Sequence, residues 1–593
     1  MCGIHCILDI SKELDSQNIQ EMSRYTSYRG SNPPQNLLLA AENYHIFFGH
    51  NLLPINNTTD FSQQPFSKAE QDYVLVFNGE IYNWKFLDKK FNFTNQSNSD
   101  TETLFEYLKI ISQNPTLWGD LEGIFAFVFW DKKQNKILSG RDNWGVKPLY
   151  YFFNQKQLVF SSEIQAIFAS NLISKKLNIK SLAHYLHFKF APIASTFFQD
   201  IHSHEKELII WNLNKPFEKL SQKNDIQEAF IFGKENRKKL VESTELLLKK
   251  AIQNQYSDLY PPALMLSGGV DSTLLLALSQ EMGYQIPSFS IVTDEKNFTQ
   301  DAYFARKASQ QYNSRLYEVK ITEKNLPELP ELFQKADQPI GDSALLSTYL
   351  LSEEAKKLNF RVLWSGAGAD ELFAGYNRHQ AFKYYLKMPK MFFKKMALFF
   401  PKSRLATRFF DSISRNNQET FLKFCSLHIL DKNFESNLSE KWTLEEALDW
   451  DRTHYLPEDV LLLTDFWAMQ NTVEVRLPFL DKNLSNFARQ VPAEIHLFND
   501  KKYLLKELLN KKNGKIYTER KKEGFGIPFG TWLLNTDNQF IMEVMQKKDA
   551  LIFEFVAPAV WQNLWHKHLS QKADYSQEIF ALLALAWWLE KHF

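Results

Sequence analysis

Cysteine is scarce: Cys2, Cys6 and Cys425 are the only three in 593 residues. Three cannot build a disulfide framework, and their spacing matches no cysteine metal site, so the chain suits a reducing cytoplasm. Net charge is missing too, because 69 basic residues cancel 69 acidic ones. That removes any global argument for nucleic acid as a partner. The start, Met1-Cys2-Gly3-Ile4, lacks a basic stretch followed by an apolar one, so no secretion signal is expected. The apolar run from Ile579 to Leu589 is too short to cross a bilayer. It predicts a buried terminal helix and no integral membrane segment. Internal repeats and low-complexity linkers are absent as well. What remains is a globular composition, 44% hydrophobic and 23% charged, in a chain too long for one core.

The most informative stretch is Leu266-Ser267-Gly268-Gly269-Val270-Asp271-Ser272. It follows the apolar Ala263-Leu264-Met265 and precedes Thr273 to Leu278, which predicts strand, tight turn, helix. Glycines 268 and 269 allow a sharp turn and close approach to a ligand. The amides opening the next helix then face outward with its positive dipole end behind them, a site for phosphate. No Gly-Lys-Ser/Thr follows, so this is not a P-loop. Further strand–helix units follow at Ser288–Val292, Arg315–Val319 and Arg361–Trp364, predicting a parallel sheet flanked by helices. Ligands of such sheets sit at the carboxyl ends of strands, where Ser267 and Ser365 both fall.

The first two hundred residues carry different chemistry. If Met1 is removed, Cys2 presents a thiol and a free α-amine that can serve as its own base. Cys6, in the same apolar strand, reads as a core residue. Strand Tyr73–Phe77 runs into Asn78-Gly79-Glu80, where an amide side chain and a glycine N–H can form an oxyanion hole. Asp100 opens a helix, either as its cap or to hold a ligand's amino group. Between about 212 and 237 the chain turns polar and loses periodicity. The expected domains are therefore 2–212 and 240–593, joined by a linker over 213–239.

Cys2-Gly3-Ile4, Asn78-Gly79-Glu80, Ser99-Asp100-Thr101-Glu102, Gly145-Val146-Lys147-Pro148-Leu149-Tyr150 and Ser267–Ser272, in this order, resemble the glutamine-hydrolysing asparagine synthetase family across essentially the whole chain. The resemblance implies an αββα N-terminal-nucleophile glutaminase domain followed by an adenine-nucleotide-hydrolase-like domain. It implies that Cys2 attacks glutamine, that Asn78 and Gly79 hold the oxyanion, and that Glu80 and Asp100 contact the glutamine ammonium and nearby polar groups. Leu266, Ile291 and Gly366 match the family's nucleotide-contact positions, alongside Ser267, Gly268, Gly269, Asp271, Ser272 and Ser365. Asp271 and Asp370 are either helix caps or joint ligands of Mg²⁺ on pyrophosphate. Lys522, in Arg520-Lys521-Lys522-Glu523-Gly524-Phe525, would neutralise phosphate charge during adenylation.

The sequence also departs from the family. Tyr28-Arg29-Gly30-Ser31-Asn32 keeps only Arg29 and Gly30 of His-Arg-Gly-Pro-Asp. Leu52 replaces an arginine that would grip the glutamine carboxylate, a contact of about 1.5–3 kcal/mol; Arg29 or another cation would have to compensate. Ala367 replaces a carboxylate near the acceptor, and Phe466 follows Thr464-Asp465 where a basic residue is expected. The resulting expectation is a cytoplasmic enzyme using glutamine, ATP and Mg²⁺ to amidate a carboxylate through an acyl-adenylate, with an internal passage for ammonia. Aspartate is the default acceptor, and a homodimer is compatible with the sequence. Alternatives are the same reaction on a sugar uronate or natural-product precursor, and a catalytically decayed binding protein. The stretch 381–410 has no acid, eight Lys or Arg and nine Phe or Tyr. It reads as helices packing aromatics inward or as a surface for an anionic lipid or acceptor.

Overall fold

The computed structural model describes all residues except 1, 56–62, 98, 215–217, 224–235, 295–298, 389–408, 415, 428, 430–437, 521–525, 536–538 and 548. Its strands are β1 (Gly3–Asp9), β2 (Gln35–Ala40), β3 (His45–Asn51), β4 (Tyr73–Ile81), β5 (Gly123–Asp131), β6 (Lys136–Arg141), β7 (Tyr150–Phe153), β8 (Gln157–Ser161), β9 (His202–Ser203), β10 (Glu207–Asn212) and β11 (Glu218–Lys223), followed by β12 (Ala263–Met265), β13 (Ser288–Val292), β14 (Leu316–Lys320), β15 (Val362–Trp364) and β16 (Glu474–Arg476).

The first eleven form two antiparallel sheets, ordered β2-β3-β1-β8-β7-β9 and β11-β10-β6-β5-β4. Strand side chains alternate between faces, and the central strands are covered on both, so those strands are almost continuously apolar. Val74, Val76, Ala126, Val128 and Trp130 meet Ile4, Cys6, Leu8 and Phe48 between the sheets. The intervening Leu75, Phe77, Phe125, Phe127 and Phe129 face Leu104, Phe105, Leu108 and Ile111, which recur at helical spacing along helix Asp100–Gln113. On the opposite outer face Ile7, Phe47 and Val159 pack with Ile19 and Met22 of helix Ser16–Tyr25. The result is helix, sheet, sheet, helix, the αββα arrangement expected. Strand β11, which pairs with β10, lies within the stretch 213–239.

The second half is built on a five-stranded sheet, β14-β13-β12-β15-β16, whose neighbours are all parallel. Helices Val270–Glu281, Thr299–Gln311 and Ala344–Lys357 carry the chain between successive strands, as parallel crossovers require. From β12 the chain builds outward through β13 and β14, then returns to the other side for β15 and β16. The order therefore switches between β12 and β15, and ligands of open parallel sheets bind at such a switch. The loops after these two strands carry Ser267 and Ser365.

One apolar cluster joins the halves: Leu264, Leu275, Leu363 and Phe479 share it with Leu53, Ile55, Ile124, Trp144 and Val146. Helix Ser576–His592 is buried from Glu578 to Leu589, as its apolar run predicts. Tyr185 Oη donates to Ala581 O at 2.7 Å, and Trp588 Nε1 donates to Ala336 O at 3.0 Å. No helix among the described residues is long and apolar enough to cross a membrane. Of the basic aromatic stretch, 389–408 lie outside the described residues; Phe382 and Tyr385 pack into a core of their own.

Candidate active sites

Cys2 immediately precedes β1 and is buried. Burial pushes its thiol pKa up, while the Leu53 N–H and Arg29 act to lower it. The backbone N–H of Cys2 donates to Asn78 Oδ1 at 2.9 Å, so the amide of Asn78 is held at the Cys2 backbone. Asn78 Nδ2 is buried and has no hydrogen-bond partner among the described residues, an available donor on the amide that holds the Cys2 N–H. Strand β4 is an edge strand, and its outward N–H groups are used in turn. Phe77 N–H donates to Gln64 Oε1 at 2.6 Å and Ile81 N–H to Asp100 Oδ2 at 3.0 Å. The register with β5 puts Gly79 N–H on that same edge between them. Gly79 has φ +141°, and a Cβ there would lie 2.0 Å from Ile124 O, so only glycine fits. Together these donors can stabilise an oxyanion.

Asp100 is not the helix cap. Ser99 Oγ accepts from Thr101 N–H and caps helix Asp100–Gln113, leaving Asp100 to reach β4. Burial pushes the Asp100 carboxyl up to about 6, against the Ile81 and Thr101 N–H groups. Glu80 lies 2.6 Å from Arg476 of β16, and Arg476 also holds Glu474 at 2.7 Å and donates to Gln255 O at 2.7 Å. Glu80 is therefore part of an ion network that crosses between the halves.

Arg29 is similarly committed. Its guanidinium is fully buried and donates to Cys2 O at 3.2 Å, Glu163 Oε1 at 2.9 Å and Asp465 Oδ2 at 2.8 Å. Each nitrogen has a partner within the protein, so the guanidinium is held in place by Cys2, Glu163 and Asp465. It ties the Cys2 backbone to Asp465 in the second half. Leu52 is buried, and its carbonyl accepts from Ser31 N–H at 2.9 Å and Asn32 N–H at 3.3 Å.

The second site opens at the end of β12. Gly268 has φ +64°, and a Cβ there would lie 2.5 Å from Ala305 N, so the loop passes against helix Thr299–Gln311 as only glycine permits. Gly269 precedes helix Val270–Glu281, and its N–H donates to Ser267 Oγ at 3.3 Å. The Ser267 and Ser272 hydroxyls are 3.3 Å apart. Ser365 N–H donates to Arg476 O at 3.0 Å. A Cβ on Gly366 would lie 3.0 Å from Asp271 Cβ, so the two loops meet. Ile291 is half-buried at the end of β13, whereas Leu266 is fully buried and can offer a nucleotide only its backbone. Lys522 lies outside the described residues. Its neighbour Arg520 reaches the loop, donating to Ser267 O at 3.4 Å and pairing with Asp301.

Asp271 and Asp370 converge on one ammonium: Lys502 Nζ lies 2.6 Å from Asp271 Oδ2 and 2.7 Å from Asp370 Oδ1. Gly375 makes room for this, because a Cβ there would lie 2.0 Å from Asp370 Oδ1 and 2.1 Å from Lys502 Cε. Sequence reasoning missed Lys502. It stands before a short amphipathic helix, and its distance from Asp271 is set by the fold. Among the described residues no group of three or more His, Cys, Asp or Glu could hold a metal, but two carboxylates plus phosphate oxygens are a suitable magnesium donor set. Next door, burial pushes the Glu371 carboxyl up to about 7, with Asp370 adding to the rise. Tyr376 Oη donates to Glu371 Oε1 at 2.5 Å. Phe466 packs on Trp467 at 5.0 Å between ring centroids and belongs to an apolar cluster with Phe333, Ile340 and Leu462. The missing basic residue is thus replaced by core packing.

The Asparagine synthase family profile matches residues 243–590, and the Glutamine amidotransferase domain profile matches 1–216. Among similar proteins, "Asparagine synthetase [glutamine-hydrolyzing] 1" of Bacillus subtilis is 27% identical over 99% of this chain and 96% of its own length. "Putative asparagine synthetase [glutamine-hydrolyzing] 2" of Methanocaldococcus jannaschii is 28% identical over 64% of this chain and 76% of its own. "Amidase chyE" of Penicillium rubens is 23% identical over 86% of this chain and 85% of its own.

Proposed function

Because the chain belongs to the asparagine synthase family, and so is an ATP-dependent, glutamine-hydrolysing amidotransferase ligase, we propose that it amidates a carboxylate through an acyl-adenylate, with aspartate as the default acceptor. Cys2 attacks the glutamine carboxamide, its proton leaves with ammonia, and water hydrolyses the thioester to glutamate. Asn78 Nδ2 and Gly79 N–H take the developing oxyanion, and Asp100 and Glu80 face the glutamine ammonium. In the second half the acceptor carboxylate attacks ATP, forming an acyl-adenylate and pyrophosphate, and ammonia then displaces AMP. The loop from Ser267 to Ser272 receives the pyrophosphate. Asp271 and Asp370 would hold Mg²⁺, which supplies neutralising charge on the phosphates, while Lys502 and Lys522 add positive charge. Glu371, with a carboxyl near 7, can accept the proton that the attacking ammonia must lose.

The observation that carries this reading is the convergence of Asp271 and Asp370 on Lys502 where the two strand-end loops meet. The test is AMP formation with aspartate and a panel of other carboxylates, run with glutamine and with ammonium. AMP only in the presence of a carboxylate is expected. ATP cleavage independent of every carboxylate would refute the reading. A second acceptor class is favoured by one observation, the loss of polar groups at Ala367 and Phe466. The similarity to a fungal protein described as an amidase fits the same direction. The panel decides between aspartate and a larger or less polar acid.

A further inference from the structure

A lysine of the first half stands in a backbone conformation that favours glycine. Lys189 ends helix Ile179–Phe188 with φ +66°, in the left-handed region where a side chain is strained. Its carbonyl accepts from Gly341 N–H at 2.9 Å, which docks it on the second half. Its ammonium pairs with Asp342 and lies 3.1 Å from Asp459 Oδ2. The other oxygen of Asp459 is buried and has no hydrogen-bond partner among the described residues. Leaving it bare costs free energy. Burial pushes the Asp459 carboxyl up to about 7, with Lys189 opposing the rise and Asp342 adding to it. Two acids against one amine leave this corner short of positive charge. Arg378 does not supply it, because its guanidinium is held by both oxygens of Asp451 at 2.8 Å. The Lys189 and Asp342 side chains are 18% and 23% exposed, so the corner opens outward.

The corner continues the second site. Tyr455 and Asp459 lie on the π-helix Asp451–Leu461, a rare form that recurs at functional sites. The Tyr455 ring centroid lies 5.4 Å from Lys189 Nζ, 4.6 Å from the Arg378 guanidinium and 5.6 Å from the Tyr376 ring. Tyr376 in turn donates to Glu371, next to Asp370. From the other side, Ser343, the residue after Asp342, has its Oγ 3.1 Å from where a Cβ on Gly526 would lie, close in sequence to Lys522. We propose that Asp459 binds a protonated amino group on the acceptor, and that Lys189, reaching over from the first half, is the residue that positions Asp459. The proposal rests on the reading that the second half amidates a carboxylate. The acceptor's ammonium donates to Asp459 Oδ1 and supplies the missing positive charge. A uronate, which has no amine, gains only a hydrogen bond from a neutral hydroxyl there, a weaker contact than a charge-assisted one.

The test measures AMP formation, with ammonium chloride as nitrogen source, from pairs of acids that differ by one amine. The pairs are L-aspartate with succinate, and any other acid that the carboxylate panel identifies with its counterpart. The native protein is expected to favour the amino member by about 10–100-fold in kcat/KM, the factor that a charge-assisted hydrogen bond produces. Asp459→Asn, which keeps the shape, should bring that preference below about threefold by raising KM for the amino acid alone. Lys189→Gly, which suits the backbone at φ +66°, should raise the same KM about tenfold with kcat within about twofold, and Lys189→Arg should restore most of it. Glutamine hydrolysis without ATP or acceptor should stay within about twofold of native in every variant, showing that the fold survives. A native protein that favours acids lacking an amine would overturn the proposal. So would an unchanged preference in Asp459→Asn, or a loss that falls equally on both members of a pair, which marks a structural role. An unchanged KM in Lys189→Gly would overturn the part given to Lys189. AMP from no acid at all would instead remove the reading of the second half, and the amine site with it.

Discussion

The two reaction centres are built by opposite means. The cysteine site lies on strand edges and draws its charged groups from across the molecule: Arg476 of β16 holds Glu80, and Asp465 holds Arg29. The proposed nucleotide site lies on strand-end loops and a helix start, and its charged groups, Asp271, Asp370 and Lys502, come from the second half alone. The first centre therefore depends on contact between the halves, whereas the proposed nucleotide site does not draw on the first half. Damage to the seam should reach glutamine chemistry before it reaches ATP chemistry.

The largest expected effect separates the centres outright. Cys2→Ala should lower glutamine-driven amide formation by more than about 10³-fold while leaving ammonium-driven formation within about twofold. Conversely, Asp370→Asn should cut AMP formation by about 10²–10³-fold with either nitrogen source and spare glutamine hydrolysis, because in the proposed mechanism it removes a charge that would hold Mg²⁺ on the phosphates. Asn78→Ala should lower the kcat of glutamine hydrolysis by about 10²-fold with little change in KM, as loss of one oxyanion donor does. If it raises KM alone, Asn78 binds the ground state instead. Gly268→Ala should lower thermal stability by about 1–3 kcal/mol, from the positive φ and the close Ala305 backbone, and calorimetry reads it directly. The smallest effect is on pH. Asp100 titrates near 6 because burial favours its neutral form. If its charge holds the substrate ammonium, glutamine hydrolysis should fall as pH drops through about 6, and a profile flat to pH 5 would contradict that role.

The same contrast explains what could be read from residues alone. The glycine loop was legible because its chemistry is local: strand, two glycines and helix adjoin in sequence. The strand at Tyr73–Phe77 was legible for the same reason. Arg29 was not, since its partner Asp465 is 436 residues away, and nothing at position 29 signals an ion pair at a seam. Lys502 escaped because its value lies in reaching Asp271, 231 residues earlier. Asp100 was left between two roles, and only the hydrogen bond from Thr101 N–H to Ser99 Oγ shows that Ser99 is the cap. The stretch 213–239 looked like linker because polar residues hide the edge strand β11, whose pairing with β10 supplies what its composition does not.

The most direct test of the central claim is a full product count on the native protein with L-glutamine, ATP and the acceptor that supports turnover. Glutamate, amide, AMP and pyrophosphate appearing in equal amounts is the predicted result. ADP and orthophosphate in place of AMP and pyrophosphate would contradict the acyl-adenylate account.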